Sequence, residues 1–332
     1  MAKNFDISVL DLAPVAEGST PAAALHNSLD LARHVEAYNY KRFWVAEHHN
    51  IIGVASAATV VIMGYIAQGT RSIRVGSGGI MLPNHSPLIV SEQVGTLAAL
   101  YPGRIDLGLG RAPGTDQVTA REIRSDRMKA ANDFPGEIRK IQRYFSEENK
   151  TEAVRSVLSE GADVPMWILG SSTDSAYLAA AMGLPYAFAS HFAPAQLLPA
   201  LTIYRENFKP SRQLKEPHVM VGCNVVAAET NAEAERLATT LRLMFLGILT
   251  GRRGLMKPPV DQLPVSLWGF YGQQTEQMLA CSLIGGREKI KTELTDFLKL
   301  TGADELIAVS QIYDHETRIR SYKIFSEICS GI

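Results

Sequence analysis

The sequence has little cysteine, no long apolar run and no surplus of charge, and each shortage excludes something. Its three cysteines, Cys223, Cys281 and Cys329, lie far apart, and none stands in CxxC or metal-ligand spacing. Neither a zinc site nor a redox pair is therefore expected. Cys223 sits in an apolar run and reads as an inert core residue. A spanning helix needs about 18 or more apolar residues free of charge, and no such stretch occurs. Met1–Leu10 lacks the basic, then apolar, then small pattern of a secretory signal, so the expected location is the cytoplasm, with no membrane partner. The formal net charge of −1 lacks the basic surplus of a nucleic-acid binder, so no nucleic-acid partner is expected. The GxSxG elbow of serine hydrolases and the HExxH helix of zinc proteases are also missing.

What is present is a well-cored chain of 332 residues, 46% apolar and 20% charged, long enough for one large domain. Short β-rich runs alternate with longer helical ones. The expected strands are Phe5–Leu10, Arg42–Val45, Ile73–Gly76, Arg104–Gly108, Pro165–Leu169, Tyr186–Ala189, Val219–Ala227 and Glu305–Val309. Several are nearly continuous apolar runs, as in parallel strands buried on both faces. The expected helices are Pro21–Tyr38, Ser56–Gln68, Pro87–Leu100, Thr173–Met182, Asn231–Leu246 and Arg287–Thr301. Thr20-Pro21 and Thr230-Asn231 supply start signals, and Gly183 with Pro185 a stop. Eight strand–helix units favour an α/β fold closed as a (β/α)₈ barrel, a single domain over residues 1–332; an open doubly wound sheet is the alternative. Arg111–Leu158 is a charged, helical insertion after strand four. Thr250–Tyr271, with three glycines and three prolines, reads as a long irregular loop after strand seven and a mobile lid.

In such barrels the site is built from the loops that follow the strands. Here those loops hold Glu47-His48-His49-Asn50 after strand two, Ser77-Gly78-Gly79 and Pro83-Asn84-His85 after strand three, and Gly108-Leu109-Gly110-Arg111 after strand four. Gly170-Ser171-Ser172-Thr173-Asp174-Ser175 follows strand five and Ser190-His191 strand six, so four of the eight histidines lie at one rim. Adjacent histidines in an extended loop point apart, which argues against a shared metal, whereas imidazole suits proton transfer near neutral pH. Gly78 and Gly79 are either a tight exit from a crowded strand or a place where backbone approaches a flat ligand. Arg111 is either a surface charge or a planar partner for phosphate. Gly170 and the hydroxyls of Ser171, Ser172 and Ser175 precede or open a helix, where free N–H groups and the dipole favour an anion.

In combination these runs resemble the bacterial-luciferase-like flavin monooxygenases. The matching pieces are FWVAEHHN at Phe43–Asn50, VGSGGIMLPNHSP at Val75–Pro87, YPGRIDLGLGRAPG at Tyr101–Gly114, and the run from Met166 to Phe192. The resemblance implies a catalytic role for His48 flanked by Glu47 and His49, a cis Gly78–Gly79 peptide beneath a flavin ring, and a phosphate held by Arg111 and the Ser171–Ser175 turn. It implies a two-component enzyme that uses reduced FMN, delivered by a separate NAD(P)H:flavin reductase, and dioxygen to oxidise a small organic substrate such as an aldehyde. It also implies a homodimer paired through helices beside the early strands. Gly110 stands where light-emitting members have a reactive cysteine, so the expected enzyme does not emit light. The alternatives are hydride transfer with FMN or a deazaflavin and no oxygenation, and a non-catalytic flavin-binding protein.

Overall fold

A computed structural model describes residues 5–332; the part of the Met1–Leu10 reading that precedes Phe5 lies outside them. The strands are β1 (Asp6–Asp11), β2 (Arg42–Val45), β3 (Arg74–Ser77), β4 (Ile80–Met81), β5 (Ile105–Gly110), β6 (Met166–Gly170), β7 (Tyr186–Phe188), β8 (Val219–Ala227), β9 (Ser282–Gly285) and β10 (Glu305–Val309). The helices are α1 (Pro21–Ala37), α2 (Thr59–Gly69), α3 (Pro87–Leu100), α4 (Gln117–Ile123), α5 (Arg127–Asn132) and α6 (Phe134–Tyr144), then α7 (Thr173–Met182), α8 (Leu197–Glu206), α9 (Asn231–Leu249), α10 (Val265–Met278), α11 (Arg287–Thr301) and α12 (His315–Cys329). The order β10-β1-β2-β3-β5-β6-β7-β8 is closed by β10–β8 pairing, giving an eight-stranded parallel barrel with helices outside.

Each of the eight expected strands is in the barrel. β4 and β9 are additions: β4 extends the exit of β3 along β5, and β9 pairs with the part of β8 beyond its contacts with β7 (Asn224–Ala227 beside Ser282–Gly285). The start signals act as read. Thr20 accepts the Ala23 N–H at 3.1 Å and Thr230 the Glu233 N–H at 3.1 Å, while Gly183 ends α7 at φ 62°. Thr250–Tyr271 departs from the loop reading, because α10 takes it over from Val265 onward. The three prolines of this segment all precede α10, so they interrupt nothing in it. Its irregular part is also stitched down. Met256 donates to Val15 O at 2.8 Å, and Glu17 donates back to Met256 O at 2.9 Å.

The barrel interior is filled by Leu10, Trp44, Ala46, Trp167, Ala187, Met220, Ile307 and Val309. The two indoles meet edge to face at 5.3 Å between ring centroids. They fit because the facing strand positions are small: a Cβ at Gly76 would lie 2.6 Å from Trp44 Nε1. Below the indoles, at the strand starts, Arg42 bonds Glu305 (3.0 Å) and Asp106 (2.7 Å), and Arg74 also bonds Asp106 (2.7 Å). Ser8 donates to Glu305, and Trp44 Nε1 to Asp106 at 3.2 Å. This closes the N-terminal end. Function is left to the other end, where β-strands run out into loops. Among the described residues no helix is long and apolar enough to cross a membrane.

Candidate functional site

The C-terminal mouth of the barrel is organised around a buried carboxylate. Glu47, 1% exposed, directly follows β2 and Ala46. It accepts from His49 Nε2 (2.9 Å), His85 Nε2 (2.9 Å), the Met81 N–H (2.9 Å) and Asn84 Nδ2 (3.1 Å). Burial raises the carboxyl, but the bonds from His49 and His85 outweigh it and hold the pKa at about 2. Glu47 therefore stays ionised and fully engaged. Its geometry is that of a group that positions two histidines, with His49 turned toward it.

His48 is held differently. Its Nδ1 lies 3.2 Å from Gly114 O, and a carbonyl can only accept, so Nδ1 carries the proton and Nε2 keeps its lone pair. Burial lowers its pKa, partly opposed by the Gly114 bond, so the ring is a neutral acceptor near neutral pH. The Arg253 charge, from the segment that follows α9, lowers it further. Gly114 is needed where it stands. It has φ +66°, and a Cβ there would lie 2.6 Å from Glu47 O.

The Gly78–Gly79 peptide is cis. A Cβ on Gly78 would lie 2.6 Å from Leu10 Cδ1, and one on Gly79 2.9 Å from Gly108 O. Of the two readings open for these glycines, the crowded strand exit accounts for both. Gly170 is similar: its Cβ would fall 2.0 Å from Ser175 Oγ, so that glycine is set by packing within the turn.

The turn before α7 divides in two. The Ser175 hydroxyl points inward, donating to Ser172 O at 2.6 Å and lying 2.8 Å from Tyr186 Oη. Its hydroxyl is thus engaged within the turn. Ser171 is exposed, and the Ser172 hydroxyl makes no capping bond although it stands at the N-cap. The Thr173 N–H is taken by Gln196 Oε1 at 3.1 Å, leaving the N–H groups of Asp174 and Ser175 at the helix start. Arg111 lies beside this turn, exposed, in a loose ion pair with the exposed Asp174 (3.6 Å). Such a pair is weak, so the guanidinium remains available.

Several residues of the site carried no assignment from sequence. Asn84 links the Glu47 carboxylate to Pro113 O at 3.0 Å and accepts from Arg127 Nε at 2.8 Å. Arg127 in turn donates to Arg111 O at 2.7 Å. One chain of bonds therefore runs from the histidine loop to the arginine. Asn84 and His85 were visible in the run after β3, but Arg127 comes from the insertion and had no local signal. His191 was visible only as a histidine past the sixth strand. Its Nδ1 is enclosed and has no hydrogen-bond partner among the described residues.

Comparison with known proteins agrees with this architecture. The family model described as luciferase-like monooxygenase matches residues 5–277. A luciferase-like monooxygenase of Escherichia coli strain K12 is 46% identical over 329 residues, covering 98% of this chain and 97% of its own. The N-acetyl-S-alkylcysteine monooxygenase of Bacillus subtilis strain 168 is 33% identical over 259 residues, 74% of this chain and 75% of its own. The crystal structure of apo-MsnO8 superposes with a TM-score of 0.87 at 33% identity, covering 98% of each chain. With the closed barrel and the family match spanning most of its length, the chain belongs to the luciferase-like monooxygenase family of oxidoreductases.

Proposed function

We propose that the protein is a flavin-dependent monooxygenase that takes reduced FMN and dioxygen and oxidises a small organic substrate, an aldehyde being the first candidate. The observation that carries this reading is the pairing of two ends in one mouth: a neutral imidazole with a free Nε2, and an exposed arginine beside an uncapped helix start. The residues present fit the cofactor. Its phosphate would replace Asp174 on Arg111 and take the Ser171 and Ser172 hydroxyls with the N–H groups of Asp174 and Ser175. When bound, the reduced flavin supplies the electrons for oxygen activation.

What the chain itself contributes is orientation, proton handling and exclusion of water. His48 takes a proton on Nε2 from a group in the mouth, while Gly114 fixes its ring and tautomer. Glu47 and His49 position that loop. The segment bearing Arg253, whose charge acts on His48, would close over the mouth and keep water out. Gly110 supports a reaction without light: a Cβ there would lie 2.9 Å from Met81 Sδ, so a methionine fills the space a cysteine would need. A separate NAD(P)H:flavin reductase as electron source and a homodimer are part of the same proposal.

The test is anaerobic titration with reduced FMN, then mixing with oxygenated buffer and a series of aldehydes. Binding followed by oxygen-dependent aldehyde consumption is expected. Arg111→Met should weaken FMN binding about tenfold, the loss of one charge-assisted contact. His48→Gln should cut turnover by about 10²–10⁴ while FMN still binds. Binding of a deazaflavin in place of FMN would replace this reading with hydride transfer. FMN binding with no turnover of any substrate would leave a storage protein.

A further inference from the structure

We propose that His191 and His48 form a donor–acceptor pair across the mouth that recognises a hydroxyl group on a small organic ligand, an alcohol or a hydrated carbonyl.

β8 makes the place for the His191 ring. Residues there alternate between the interior, where Met220 sits, and the outer core, where Val221 and Cys223 sit. Gly222 is therefore an inward position without a side chain. The His191 imidazole occupies that space: a Cβ on Gly222 would lie 2.4 Å from His191 Nδ1 and 3.3 Å from its Cε1 and Cγ. The backbone on either side is fixed, with Asn224 Nδ2 donating to His191 O at 2.8 Å and Ser190 Oγ donating to Gly222 O at 2.6 Å. The ring is thus placed by the fold and lies over the barrel interior. β8 is separated from β2, which carries the His48 loop, by β10 and β1 on one side of the barrel, so the two rings approach from different walls.

The protonation of each ring follows from what its Nδ1 meets. His48 Nδ1 donates to Gly114 O, leaving Nε2 as an acceptor. His191 Nδ1 is enclosed with no partner among the described residues. Orphaned buried N–H donors are rarer than under-satisfied acceptors, so the enclosed nitrogen carries the lone pair and Nε2 carries the proton. Nε2, unlike Nδ1, is not among the enclosed unpartnered nitrogens of the described residues, and it is the one left for a ligand. Burial, with the His48 charge, holds the His191 ring neutral down to about pH 4, so this arrangement persists at neutral pH. One neutral imidazole accepts and the other donates. A hydroxyl satisfies both at once. An ether or ester oxygen satisfies only His191, and an alkane neither.

This pair stands on the ring geometry and does not require that the cofactor be FMN. The experiment uses the full chain without flavin, labelled with ¹⁵N on histidine. Ring nitrogen shifts should report His48 protonated on Nδ1 and His191 on Nε2. Titration with 1-hexanol should move both rings, and hexyl methyl ether should bind about tenfold more weakly. His48→Phe, which removes the acceptor, should bring the two probes to equal affinity, and His191→Phe, which removes the donor, should weaken both about equally, with His191→Gln, which keeps a donor, recovering most of the loss. An Nδ1-protonated His191, no binding of 1-hexanol, or equal binding of alcohol and ether by the unaltered protein would overturn the proposal. Failure of reduced FMN to bind would overturn the monooxygenase reading and leave this result standing.

Discussion

At the N-terminal end of the barrel Arg42, Arg74, Asp106 and Glu305 form a closed set of two positive and two negative groups. At the C-terminal end Glu47 is as deeply buried as Asp106, yet the groups around it are titratable imidazoles and not arginines. Both ends bury carboxylates, and both satisfy them. The difference is what lies one residue further on. Beyond the lower set is a packed pair of indoles. Beyond Glu47 are, among the described residues, His48 with a free nitrogen, His191 with an orphaned one, and Arg111 in a loose surface pair. The lower end spends its polar groups on one another; the upper end keeps some uncommitted, as a binding site requires.

This comparison breaks if the lower set proves dispensable. Asp106→Ala leaves two buried or half-buried arginines without their shared partner, and should cost about 3–5 kcal/mol in urea unfolding. An unchanged midpoint would mean that water or rearrangement replaces the carboxylate. Glu47→Gln sharpens the contrast, because it removes the charge but keeps the shape. It should cost about 1–3 kcal/mol, since four donors lose a charged acceptor. It should also alter the acid profile. The Glu47 carboxyl is held at about 2 against an ordinary 4.5, so its contribution is complete above pH 4.5 and lost as pH falls toward 2. In the Gln variant that part of the decline should disappear.

His191→Phe tests the smallest effect. The unfolded chain takes a proton on this histidine near 6.5, and the folded chain only near 4. Folding therefore binds fewer protons in that window, and stability should fall as pH drops from 6.5 to 4. The Phe variant should show a shallower slope between those values, measured as unfolding midpoint against pH. A slope identical to that of the unaltered protein would mean that the ring is not buried as described.

The fold was legible because several barrel strands are local apolar runs and several of the expected helices carry their own start or stop signals. Less legible were elements defined by distant partners. Ser282–Gly285 is four residues long and becomes a strand only because β8 runs nine residues, beyond the reach of β7. That excess length was the available clue. Proline and glycine made Thr250–Tyr271 look irregular throughout, although prolines ahead of a helix do not oppose it. In the site, Glu47, His48 and Arg111 stood out by type and position. The lower ionic set did not, because Arg42, Arg74 and Glu305 each open a strand and look like ordinary polar ends. His191 needed Gly222, thirty-one positions away, before its ring had a place.

The stitch at Met256 has a bearing on how the segment after α9 can move. Val15 and Glu17 hold that residue from both sides of the backbone, between Arg253 and the start of α10. A stretch fixed at that point cannot swing as one door. The part carrying Arg253 and the part leading into α10 are therefore tied to the barrel at a shared point, so the charge beside His48 and the approach to α10 need not change together.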